Sequence, residues 1–182
     1  MPAKLHLVFG PCGAGKTTYA HRLGRREGAV PFVLDDWGVR LFGPDVQGPV
    51  DFGWMLERLG RCQALIWSTA GAVLDAGTPV VLDLGLMSRA HRERIRKMGE
   101  QAGHSMQWHF VDAPQEVRRA RVAGRNTAKG ETFVMEVTPE TFEMLEATYE
   151  PPGPTELEGA VLSVTTSAEL AAPGEAQAEA LP

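Results

Sequence analysis

Cysteine is almost missing from the chain, which has only Cys12 and Cys62 among its 182 residues. Two such thiols suggest neither a disulfide framework nor a metal site. Long apolar runs are missing as well. Nothing approaches the roughly twenty residues of a membrane-spanning helix, so no membrane partner is expected. Positive charge is in deficit, with a formal net charge of −5. That argues against a general nucleic-acid binder, whose phosphate contacts need a basic surface, although a local basic groove stays open. The histidines, His6, His21, His91, His104 and His109, have no ligand spacing and read as structural or exposed. Met1-Pro2-Ala3-Lys4 runs straight into an apolar stretch. No signal peptide is expected, and a cytoplasmic location is the expectation. A 43% hydrophobic content is ordinary for one globular domain.

What the chain does have is Gly10-Pro11-Cys12-Gly13-Ala14-Gly15-Lys16-Thr17, a full match to G-x-x-x-x-G-K-[ST]. Leu5 to Phe9 before it reads as a buried strand, and Thr17 to about Arg26 after it as a helix. In that context the glycines let backbone N–H groups converge, and the helix start adds partial positive charge. Gly10, Cys12, Gly13, Ala14, Gly15, Lys16, Thr17 and Thr18 are therefore the candidate ATP-binding residues. Lys16 suits the outer phosphates and the Thr17 hydroxyl suits Mg²⁺. Cys12, at a free position of the loop, reads as a bystander.

A second strand, Val30 to Leu34, ends at Asp35-Asp36-Trp37, and Gly38 to Phe52 reads as a loop or broken helix containing Arg40. On an extended strand neighbours face opposite ways, so only one of Asp35 and Asp36 could meet an acceptor. The step from Asp35 to Trp37 would put both on one side, framing a pocket. The other reading is that both carboxylates cap the following helix or turn. Residues 54–76 read as a helix with Met55, Leu59, Cys62, Ile66 and Val73 on one face and Gly77 past its end. Pro79 to Leu82 is a third strand stopping at Asp83; Ser88 suits the N-cap of a basic helix over 89–102. The bland reading of that basic helix is a solvated face; the other is a seat for an anionic acceptor. Met106 to Val111 is a fourth strand, ending at Asp112, followed by a helix bearing Arg118, Arg119, Arg121 and Arg125. Asn126 to Val137 looks mobile, Thr138-Pro139 opens another helix, and Ala160 to Thr165 supplies a fifth strand. Strands alternating with helices give a parallel α/β sheet covered on both faces. Residues 1–166 form the domain, and 167–182 a low-complexity, dispensable tail.

Three features lean toward phosphoryl transfer to a small acceptor: a minimal domain, carboxylates ending successive strands, and arginines before a loop-like segment. The loop, Asp35-Asp36-Trp37, Val81-Leu82-Asp83, the Arg118–Arg125 stretch and Thr138-Pro139-Glu140 through Tyr149-Glu150-Pro151-Pro152 resemble the AAA_33-type P-loop kinases. That group is similar to the polynucleotide kinase domain, chloramphenicol phosphotransferase and zeta toxins. The resemblance implies a three-layer P-loop NTPase fold with a five-stranded parallel sheet and a mobile lid, the third strand beside the loop strand. It implies Asp35 as general base, Lys16, Arg121 and Arg125 as the cations on the migrating phosphoryl, and Asp83 with Thr17 near Mg²⁺. Asp36, Trp37, Arg40 and Asp83 would border the acceptor. Gly38 stands where the polynucleotide kinase pattern has arginine, and Leu84-Gly85-Leu86 where Thr-Asn-Leu is usual. The expected activity is ATP- and Mg²⁺-dependent phosphorylation of a small-molecule hydroxyl (an antibiotic or sugar nucleotide, for example). The rivals are a polynucleotide 5′-hydroxyl kinase and a nucleotide-binding switch without an acceptor.

Overall fold

The computed structural model describes residues 3–46, 51–128 and 136–164. The elements are β1 (Lys4–Phe9), α1 (Lys16–Glu27), β2 (Val30–Val33), α2 (Leu34–Phe42), α3 (Phe52–Asp75), β3 (Val80–Asp83), α4 (Arg89–Gln101), β4 (Ser105–Asp112), α5 (Gln115–Ala128), α6 (Pro139–Thr148), α7 (Pro154–Leu157) and β5 (Val161–Val164). The expected tail over 167–182, the domain boundary before it and the centre of the expected lid segment lie outside the described residues.

All strands are parallel, in the order β2-β3-β1-β4-β5. The register lines up Val33, Asp83 and Val8 across three neighbouring strands. The glycine loop after β1, Asp83 at the end of β3 and the first turn of α2 therefore leave the sheet side by side, at the edge where parallel sheets bind ligands.

Strand alternation sorts the core into two layers. Leu5, Leu7, Phe9, Val80, Leu82 and Trp108 face α3 and α4, where Cys62, Ile66, Ala70, Leu74 and Ile95 complete one cluster. Val8, Val81 and Val111 face α1, meeting Ala20 and Leu23. Capping follows the sequence: Ser88 accepts from His91 N–H at 3.2 Å and Thr138 from Thr141 N–H at 3.2 Å, with Pro139 at the first helical position.

Three expectations need correction. Strand β2 stops at Val33, and Asp35 and Asp36 lie in the first turn of α2 instead of on a strand end. Residues two apart on a helix point about 200° apart, so Asp35 and Trp37 do not share a side. Trp37 packs against Phe32, ring centroids 6.0 Å apart, as part of the core. Second, α5 runs on through Ala128, so Asn126 is helical, and its amide closes back on Val137 O at 2.8 Å. Third, the basic helix is not uniformly solvated. Arg92 is 2% exposed, bonded to Glu156 at 2.7 Å and to Leu86 O at 3.3 Å.

Two histidines are buried between the sheet and α1. His6 Nδ1 lies 2.9 Å from His109 Nε2, and Tyr19 Oη 2.9 Å from His109 Nδ1. Burial, with His6 alongside, pushes His109 down to about 4. Below the ordinary histidine range of about 6.5 the unfolded chain binds a proton the folded chain refuses, so stability is lost as pH falls from about 6.5 toward 4. His109→Gln should flatten the acid side of a melting-temperature profile, and an unchanged profile would rule the pair out as its cause.

Candidate active site

The loop keeps its shape by close backbone approach. Gly10 has φ 147° and a Cβ there would lie 1.9 Å from Val111 O; Gly13 has φ 74° and its Cβ would lie 2.6 Å from Arg118 O. No side chain fits either place, and both need conformations that favour glycine. Lys16 folds back over the loop, its Nζ donating to Pro11 O at 2.8 Å. Thr18 is exposed in the first turn of α1. Burial pushes the Cys12 thiol up, away from the reactive thiolate.

Thr17 Oγ1 donates to Asp83 Oδ2 at 3.0 Å. This hydroxyl and carboxylate form a hard-oxygen donor set. Among the described residues no group of three or more His, Cys, Asp or Glu side chains could hold a metal. The two together fit Mg²⁺, which keeps few protein ligands and completes its shell with water and phosphate oxygens. Asp83 is 5% exposed. Burial pushes its carboxyl up, Lys16 pulls it down, and Asp35 pushes it up again.

Asp35 stands in the same field. Crowding by protein pushes its carboxyl up although its side chain still reaches solvent; Lys16 and Arg125 pull it down, and Asp36 adds to the rise. A carboxylate that reaches solvent and is raised by the protein around it is open to a small molecule and a stronger base than a free one. Asp36 is half-buried beside it, and Arg40 is exposed one turn further along α2. Neither Asp35 nor Asp36 has an ion pair among the described residues.

Spacing along α5 turns Arg118, Arg121 and Arg125 to the loop side. Arg121 Nη1 donates to Ala14 O at 3.1 Å. Arg125 is half-buried, acts electrostatically on both Cys12 and Asp35, and has an enclosed Nε without a hydrogen-bond partner among the described residues. An orphaned cationic donor facing this loop fits an anion. Asp112, at the end of β4, accepts Ala113 N–H at 2.7 Å and faces Arg118 at 3.6 Å. Sequence reasoning missed the partner of Arg118, Glu146 on α6, which binds it at 2.5 and 2.7 Å. Nothing local to Glu146 distinguishes it from the other acidic residues of that helix.

No helix among the described residues is long and apolar enough to cross a membrane. No curated protein matches the chain. Among solved structures it is similar to a proposed kinase of Chloroflexus aurantiacus, with a TM-score of 0.70 and 18% identity over 93% of this chain and 91% of that one. Kti12 of Chaetomium thermophilum, solved with ADP-AlF3, gives 0.64 and 18% over 90% and 89%. APS kinase of Mycobacterium tuberculosis, solved with AMPPNP and APS, gives 0.59 and 20% over 91% and 89%. At these identities the likeness establishes a P-loop kinase-like fold. The AAA_33 family model, described as an AAA domain, matches residues 5–152. That span holds the glycine loop, Asp83, the Asp35-Asp36 pair and the arginines of α5, and the chain belongs to this family.

Proposed function

We propose that the chain is an ATP- and Mg²⁺-dependent kinase acting on a hydroxyl of a small molecule. The observation that carries this is the convergence of a raised carboxyl (Asp35), a folded-back lysine (Lys16), the Thr17–Asp83 oxygen pair and an Arg125 Nε that has no hydrogen-bond partner among the described residues on one sheet edge. Mg²⁺, held by Thr17 and Asp83, would offset phosphate charge. Lys16 and Arg125 bind the outer phosphates. Asp35 accepts the proton of the acceptor hydroxyl as its oxygen bonds to the γ-phosphorus; the bond to the β-γ bridging oxygen breaks and ADP leaves.

The charge is divided. Arginines and Lys16 gather around the loop, whereas the acceptor side carries Asp35 and Asp36, without an ion-pair partner among the described residues, against the single cation Arg40 one turn along α2. Such a surface favours a neutral or cationic acceptor over the polyanionic end of a nucleic acid. The test is a panel of antibiotics, sugar nucleotides and 5′-hydroxyl oligonucleotides with γ-labelled ATP. Label on a small hydroxyl compound is the expected result. Label on the oligonucleotide alone would move the assignment to the polynucleotide end. Slow ATP hydrolysis unmoved by any acceptor would favour the switch.

A further inference from the structure

A loop that turns N–H groups inward must turn carbonyls outward, and those carbonyls need donors. Two of the donors here are arginines of α5: Arg118 Nη1 donates to Cys12 O at 3.2 Å, and Arg121 Nη1 to Ala14 O at 3.1 Å. A trans peptide is planar, with its C=O and N–H directed oppositely. Fixing the Cys12 carbonyl outward therefore fixes the Gly13 N–H inward. Gly13, at φ 74°, is a residue type that tolerates either orientation of that peptide, so something outside the loop must choose.

Arg118 is built to choose. It is 7% exposed, and its Nε donates to Ala113 O at 2.8 Å. Its terminal nitrogens grip both oxygens of Glu146, and the Phe142 ring centroid lies 5.9 Å from the guanidinium. Held by the end of β4 and by α6, this fork is committed and not available to a phosphate. We propose that Arg118 is a positioning residue for nucleotide binding: anchored by Glu146, it pins the Cys12 carbonyl and holds the phosphate loop in its binding shape from behind. The inference rests on reading the loop as the nucleotide site.

The experiment separates positioning from plain stability. A buried ion pair replaced on both sides by apolar residues of similar size commonly keeps or gains stability, whereas removing one partner strands a charge. The double variant Arg118→Met/Glu146→Met leaves only Asp112, which reaches solvent, without its cation, and is therefore expected to melt near the wild-type temperature. It should bind ATP and ADP about tenfold or more weakly, since it loses the donor that orients the loop. Amide exchange at Gly13 should quicken in the same protein. Should the double variant not fold, Arg118→Lys serves: one amine keeps the charge opposite Glu146 but cannot also reach the Cys12 carbonyl, so the same loss of affinity is expected. A folded variant of either kind with wild-type nucleotide affinity overturns the inference alone. Wild-type protein that binds no nucleotide overturns the nucleotide reading and takes this inference with it.

Discussion

Lys16→Ala is expected to lower phosphoryl transfer by about 10³-fold or more and to weaken ATP binding measurably by calorimetry. The side chain is parked on Pro11 O at 2.8 Å, spanning the loop it would leave to meet a phosphate. It also acts on both carboxylates of the site, pulling Asp35 and Asp83 down. Its removal deletes a cation at the migrating phosphoryl and lets both carboxyls rise further. Residual transfer in the variant should therefore persist only toward higher pH, a displacement that loss of binding alone does not produce. Lys16→Arg keeps charge but not shape, and should recover ATP affinity more than turnover. Wild-type turnover in Lys16→Ala would remove the phosphate-loop assignment.

The parts of the site that could be read from the sequence are those whose chemistry is contiguous. Gly10 to Thr17 is one motif, and its strand and helix flanks are written in adjacent residues. Asp83 was legible as a strand end because Val80, Val81 and Leu82 form a short apolar run that stops there. The neighbours β3 and β1 were not legible from patterning, since sheet order depends on crossovers that leave no local trace; the family resemblance supplied it, and the observed order agrees. The segment after β2 misled because Asp35-Asp36 reads as a strand terminus, while Gly38, Gly43 and Pro44 read as loop. Two carboxylates in a first turn also favour a helix, by meeting its positive end, and the structure has them there. Arg118 with Glu146, 28 residues apart, and His6 with His109, 103 apart, were beyond reach for another reason. Each partner is an ordinary residue on its own element, and only packing of the elements makes the pair.

Asp35→Asn is expected to cost about 10²-fold or more in turnover while ATP affinity barely moves. The substitution keeps the shape of a side chain in the first turn of α2 and removes its ability to take a proton. The pH profile adds a second reading. The protein around Asp35 and the neighbouring Asp36 charge raise its carboxyl from the ordinary value, and a base works only once deprotonated. Wild-type turnover should therefore climb with pH on an acid limb lying above that of a free aspartate, and Asp35→Asn should lose the limb. Asp36→Asn should cost only a few-fold. Because the Asp36 charge helps to raise Asp35, its removal should move the acid limb to lower pH, a shift that merely misfolded protein would not show. Asp83→Asn should behave differently again: it removes the partner of Thr17 Oγ1, so its damage should be eased by raising Mg²⁺ and not by raising pH. Activity surviving in Asp35→Asn but not in Asp36→Asn or Asp83→Asn would reassign the base to the residue that proves indispensable. Activity surviving in all three would leave the sheet edge without an acceptor chemistry and turn the reading toward a nucleotide-binding switch.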